Sequence, residues 1–266
     1  MASFRHYSNS LSDMKSAFNP IRDRVLSREV LSGSFVNSGS AINAEIAAQS
    51  GLDWLLIDLE HGYGGEEALV AQLQAVSRCE VAPFVRVSSG EEWRFKRVLD
   101  LGAAGVMVPM IRTAEEARQV VSSVRYPPLG TRGVSSPSRA SDYGLNFREY
   151  FQKAHETVTT IIQIETPEAL ENIDAIAAVD GVDVLFLGPA DLSANLSTPL
   201  DFDSREFKAA REKILEAVAR HGKAAGIILF GTDQLEAEVE GGFTFVAVAS
   251  DSGLYSKAIR EIAEAF

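Results

Sequence analysis

Eight short apolar runs recur along the chain: "GSFVN" (33–37), "WLLIDLE" (54–60), "APFVRV" (82–87), "GVMVP" (105–109), "TIIQIE" (160–165), "VDVLFLG" (182–188), "AGIILF" (225–230) and "FTFVAVAS" (243–250). They are continuously apolar rather than alternating, and rich in Val, Ile, Leu and Phe. That pattern belongs to parallel strands covered on both faces. Between the runs lie segments with helical spacing, among them "EEALVAQLQAVSR" (66–78), "EEWRFKRVLDLG" (91–102), "TAEEARQVVSSV" (113–124), "TPEALENIDAIAAV" (166–179) and "SREFKAAREKILEAVARHG" (204–222). Thr113 before Ala-Glu-Glu and Thr166 before Pro167 read as helix N-caps followed by acidic first turns. Eight strands alternating with helices over about 220 residues predict an α/β fold of the (β/α)8 TIM-barrel type. A doubly wound open sheet fits less well, because "GSFVNSGSAIN" lacks the GxGxxG turn such sheets carry after their first strand.

A chain of 266 residues, 46% of them hydrophobic, is long enough to bury one large core. The expected organisation is a single barrel over residues 31–266, preceded by an N-terminal arm or helix over 1–30 that caps the barrel or a neighbouring subunit. Cys79 is the sole cysteine, so no intrachain disulfide and no Cys-rich metal site can form, and a cytoplasmic location is the natural expectation. Charges at Arg5, Asp13, Lys15, Arg22, Asp23 and Arg24 leave no apolar stretch for a signal peptide or membrane span. The formal net charge of -12 argues against a nucleic-acid partner. One connection, "RYPPLGTRGVSSPSRASDYGLN" (125–146), is long and irregular, and segments of that kind in compact domains tend to be functional.

The second apolar run ends in charge: "IDLEHGYGG" places Asp58, Glu60 and His61 directly after it. In a barrel of this class the strand C-termini form the active-site face. Arg86 ends the third run, Gln163 and Glu165 the fifth, and Asp191 follows the sixth in "GPADLS". Each has a plainer reading when taken alone: a loop histidine, a structural ion pair, an acidic helix cap. Polar ends on separate strands, all on one predicted face, point instead to a site. Two carboxylates with Gln163 and water nearby suit a hard divalent cation such as Mg²⁺ or Mn²⁺, whose open positions would take a bidentate 2-oxo acid. Gly188 allows close backbone approach, and Pro189 at a helix N1 would leave the N–H groups of Ala190 and Asp191 facing a substrate carboxylate. Arg86 would donate to an oxygen gaining charge, and His61, oriented by Asp58, would move protons.

At these residues the sequence resembles the HpcH/HpaI aldolase family, divalent-metal-dependent class II 2-oxo acid aldolases. The landmarks are "DLEH" (58–61), "VRV" (85–87), "GVMVPM" (105–110), "RYPPLGTRG" (125–133), "QIET" (163–166), "GPADLS" (188–193) and "FVAVASD" (245–251), in this order and spacing. The resemblance implies that Glu165 and Asp191 bind the metal (Mg²⁺, Mn²⁺, or another divalent ion such as Co²⁺), with Gln163 contacting its shell. It implies that pyruvate chelates the metal, that Arg86 polarises the 2-oxo group, and that His61 with Asp58 moves protons. The expected reaction is reversible cleavage of a 4-hydroxy-2-oxo acid to pyruvate and an aldehyde through a metal-stabilised pyruvate enolate, with oxaloacetate decarboxylation as a side activity. By the same resemblance the protein would be a homo-oligomer, a hexamer, with "SKAIREIAEAF" (256–266) exchanged between barrels. Two stretches depart from the family's pattern, "ANLSTPLDF" (194–202) and Tyr63-Gly64-Gly65, and both bear on the choice of aldehyde.

Three other functions compete with this one. A Schiff-base aldolase needs a lysine at a strand's C-terminal end, and Lys223 precedes the seventh run instead. A citrate-lyase-like or malyl-CoA-type lyase shares the carboxylate site, yet no basic nucleotide groove is apparent. A barrel retained as a non-catalytic binding protein would have lost some of its polar strand ends, and none is missing.

Overall fold

A computed structural model describes residues 21–266. The strands are β1 Leu31–Val36, β2 Trp54–Asp58, β3 Ala82–Arg86, β4 Gly105–Val108, β5 Thr159–Ile164, β6 Val184–Leu187, β7 Ala224–Leu229 and β8 Phe245–Ser250. Each pairs in parallel with the next, and β8 returns to β1, closing the barrel. Around it run α1 Ile21–Leu26, α2 Ala41–Ala48, α3 Glu66–Ala75, α4 Glu92–Asp100, α5 Ala114–Val124, α6 Phe147–Thr157, α7 Pro167–Glu171, α8 Ile173–Ala177, α9 Pro189–Asn195, α10 Arg205–His221, α11 Leu235–Glu240 and α12 Asp251–Glu264. No helix among the described residues is long and apolar enough to cross a membrane.

The two faces of each strand divide the core. Leu31, Phe35, Trp54, Leu56, Ala82, Phe84, Met107, Ile161, Val184, Phe186, Ala224 and Phe245 pack inside the barrel. Their strand neighbours, such as Ile57, Val85, Val106, Ile162, Leu185 and Ile227, pack against the helices. Both sets are apolar, which is why the sequence runs do not alternate. The Trp54 indole stacks on Phe245 with ring centroids 3.9 Å apart. It fills the space in which a Cβ on Gly33 would sit, so that position has to be glycine.

Of the segment expected to form an arm, residues 1–20 lie outside the described residues, and Ile21–Leu26 forms α1. Ile21 and Val25 belong to the inner cluster and close the barrel at the strands' N-terminal end. Arg22 grips the buried Asp183 just before β6 through Nε (3.1 Å) and Nη2 (2.8 Å).

The long segment 125–146 is not at the active-site end. Arg139 donates to the carbonyls of Leu101 (2.8 Å) and Leu73 (3.1 Å), at the C-terminal ends of α4 and α3. Those helices run antiparallel to the strands, so their last turns lie at the strands' N-terminal end. The segment satisfies helix carbonyls that would otherwise lack partners, a structural task. It leads into α6, a helix that is not among those expected from the sequence. The helix expected over 166–179 breaks at Asn172 into α7 and α8, where the Asn172 side chain donates to the Arg112 carbonyl.

Candidate active site

Continuing the inner-face series one step past the apolar layer reaches Asp58, Arg86, Gln163 and Gly188. In-register pairing sets Asp58 beside Arg86. Both are buried, and the guanidinium binds the carboxylate with two hydrogen bonds, Nε to Oδ1 (2.9 Å) and Nη2 to Oδ2 (2.7 Å). Oδ1 also accepts the backbone N–H groups of Glu60 (3.0 Å) and His61 (3.3 Å). Burial alone would raise the Asp58 carboxyl, but Arg86 and these amides hold it below the usual carboxylate range.

This corrects one expectation: Asp58 meets His61 through the backbone only. The imidazole's acidic neighbour is Glu60, with Nε2 3.8 Å from Oε2, and the His61 side chain is 65% exposed. The same Glu60 oxygen lies 3.2 Å from Nη1 of Arg86. The Glu60 carboxyl is raised, chiefly by burial, with Arg86 and His61 opposing and Asp58 and Asp191 adding to the rise.

Across the mouth, Glu165 follows β5 and is buried. Its Oε1 accepts the Met110 N–H at 2.6 Å, its Oε2 accepts Gln163 Nε2 at 3.1 Å, and its carbonyl accepts Asn195 Nδ2 at 2.9 Å. Met110 reaches Glu165 from a left-handed backbone conformation, φ 59°. Gly188 caps α9 and Pro189 occupies its N1 position, as expected. Ala190 and Asp191 are exposed in its first turn. Sequence reasoning had missed the Met110 amide, because nothing in a sequence marks a non-glycine residue with positive φ. Glu60 was visible two positions beyond Asp58 but had no assigned partner.

Burial, then the negative charges of Asp191 and Glu60, push the Glu165 carboxyl up to about 7, against the Met110 amide and Arg86. Gln163 Oε1 is buried without a hydrogen-bond partner. Excess negative charge beside an orphaned oxygen acceptor is the environment a hard cation satisfies, so these residues fit a divalent ion. Among the described residues no group of three or more His, Cys, Asp or Glu side chains forms a metal cage. The remaining coordination would fall to substrate and water. Lys223, at the far end of β7, donates to the Val179 carbonyl and lies outside the site.

The sequence profile of the HpcH/HpaI aldolase/citrate lyase family matches residues 31–258. A 2-keto-3-deoxy-L-rhamnonate aldolase of Klebsiella pneumoniae is 42% identical over 242 residues, 91% of this chain and 90% of that protein. Among solved structures, an HpcH/HpaI aldolase/citrate lyase family protein from Burkholderia cenocepacia superposes with a TM-score of 0.89 at 34% identity, covering 92% of this chain and 98% of the other. An HpcH/HpaI aldolase from Desulfitobacterium hafniense gives 0.86 at 26% identity, covering 92% and 95%.

Proposed function

The chain belongs to the HpcH/HpaI aldolase/citrate lyase family and is a carbon–carbon lyase of the aldolase type, and from that premise we propose that it cleaves a 4-hydroxy-2-oxo acid reversibly to pyruvate and an aldehyde. The observation that carries this reading is one mouth that holds a guanidinium, Arg86, fixed by two bonds to Asp58, and a buried carboxylate, Glu165, beside the partnerless Gln163 Oε1.

Glu165 and Asp191 would hold a divalent cation, Mg²⁺ or Mn²⁺, with Co²⁺ as another candidate. When bound, the ion supplies Lewis-acid withdrawal of charge from the 2-oxo group. Arg86 donates to the same oxygen as the C3–C4 bond breaks and charge develops there. His61 Nε2 moves the proton that leaves the C4 hydroxyl or returns to C3. Gly188 and Pro189 let the N–H groups of Ala190 and Asp191 meet the substrate carboxylate, and Gln163 Oε1 accepts from water or substrate. Oxaloacetate decarboxylation is the expected side reaction, since loss of CO₂ leaves the same enolate. The name of the Klebsiella relative supports a 2-keto-3-deoxy sugar acid, whose C2 oxo and C4 hydroxyl groups define this cleavage.

We also propose a homo-oligomer. Along α12 no residue is buried, and Leu254, Tyr255, Ile259 and Ile262 face solvent, an apolar stripe suited to a second copy of the chain.

The test is pyruvate release from a panel of 4-hydroxy-2-oxo acids with sugar-derived, short aliphatic and aromatic tails. EDTA treatment should abolish release and added Mg²⁺ or Mn²⁺ should restore it. Full activity in metal-free protein would overturn the assignment.

A further inference from the structure

Glu60 has no part in the chemistry outlined above, yet it lies against two groups that do, Arg86 and His61. Arg86 has five N–H donors. Nε and Nη2 each give one to Asp58, and Nη1 lies 3.2 Å from Glu60 Oε2. Asp58 therefore holds the guanidinium by two hydrogen bonds, and the Glu60 carboxylate flanks it as a second ion-pair partner. The His61 ring makes no hydrogen bond among the described residues, and Glu60 Oε2, at 3.8 Å, is the acidic oxygen paired with it. Asp58 cannot take over that task, because its oxygens already serve Arg86 and two backbone amides.

We propose that Glu60 is a positioning residue whose one oxygen, Oε2, is shared by Arg86 and His61 and fixes the oxyanion donor and the proton carrier relative to each other. This rests on the aldolase reading. At 3.8 Å the contact with His61 is too long for a hydrogen bond, so its attraction is electrostatic and greatest when the imidazole holds a proton. The contact with His61 and the contact with Arg86 thus draw on the same carboxylate oxygen. A residue that acts through two partners leaves a signature in double mutants: its loss matters less once one partner is gone.

The experiment follows exchange of pyruvate methyl protons into D₂O by NMR, on the metal-loaded protein. Glu60→Gln keeps the side chain's size and removes its charge. It should leave the melting temperature and the KM for pyruvate unchanged while slowing exchange about 100-fold, within the range of a lost acid–base partner. Glu60→Asp, which restores the charge, should recover part of the rate. In a His61→Ala background the Glu60→Gln change should cost only about tenfold, because Arg86 alone remains to be positioned. Equal losses in both backgrounds would overturn the proposal, as would a higher KM with unchanged turnover, or a lower melting temperature with no kinetic loss. If the wild-type protein itself exchanges no protons, the aldolase reading falls and this proposal with it.

Discussion

Glu165 carries its charge where burial and two neighbouring acids oppose it, and this has a measurable consequence. Its carboxyl sits at about 7 against an ordinary 4.5. A raised carboxyl binds its proton more tightly folded than unfolded, so stability in cation-free protein is fully present below pH 4.5 and is lost as pH climbs through 7. The loss is roughly 3 kcal/mol. Urea midpoints measured in EDTA across that window should fall with pH, Mg²⁺ should flatten the slope, and Glu165→Gln should abolish it; a flat wild-type profile would show that the site holds no excess charge. Gly188 makes a second prediction. Its φ of -89° suits any residue, so its constraint is space alone. A Cβ there would lie 2.7 Å from Glu165 Oε2 and 3.2 Å from Gln163 Nε2. Gly188→Ala should displace Glu165 and slow cleavage about 100-fold, with weaker Mg²⁺ binding by calorimetry; unchanged affinity and rate would mean the two side chains can move aside freely. Asp58, Arg86, Gln163 and Glu165 were legible in the sequence because strand alternation carries the inner face straight into the mouth. The partner of His61 was not legible, because which donor captures Asp58 depends on in-register pairing with β3.

At the level of elements, the strands could be read because burial on both faces leaves a compositional mark that helices do not mimic at that length. The connection at 125–146 misled because irregularity looks alike at either end of a barrel; only the carbonyls that Arg139 meets reveal the end. The last helix is anchored firmly at its root. Ser250 Oγ accepts the Gly253 N–H, and the Asp251 carboxylate accepts N–H groups of Asn37 (2.9 Å) and Ser38 (3.2 Å) and bonds the Ser38 hydroxyl. Beyond that root α12 buries nothing, although Tyr255, Ile259 and Ile262 follow the i, i+4, i+7 spacing of a packing face. A lone helix of this length is marginal in water without such packing. If the proposed homo-oligomer packs through this face, Ile259→Glu should reduce the sedimenting mass and lower the melting temperature. A wild-type protein that sediments as a monomer would refute the interface.

The molecule as a whole separates its charges by end. At the strands' N-termini they are neutralised in fixed pairs, Arg22 with Asp183 and Arg24 with Asp53. At the C-termini Glu165, Glu60 and Asp191 repel one another beside Arg86, whose charge Asp58 already pairs. One short strand joins the two regimes: Asp183 precedes β6 and Gly188 follows it, five residues and about 16 Å apart. Substitutions at its two ends should then have opposite signatures. Asp183 accepts two bonds from Arg22 and one from the Thr160 N–H (2.9 Å). An asparagine there offers one oxygen for those donors and turns an amide toward the guanidinium, leaving a largely buried cation without its counter-charge. Asp183→Asn should lower unfolding free energy by about 3 kcal/mol, since breaking a buried pair strands the remaining charge, while the turnover of the folded fraction stays at the wild-type value. Gly188→Ala should do the reverse, sparing stability while slowing turnover about 100-fold. Urea unfolding and initial rates on the two variants would decide it: if Asp183→Asn lowered kcat as steeply as Gly188→Ala does, β6 would be transmitting strain along its length, and the division between a stabilising end and a reactive end would fail.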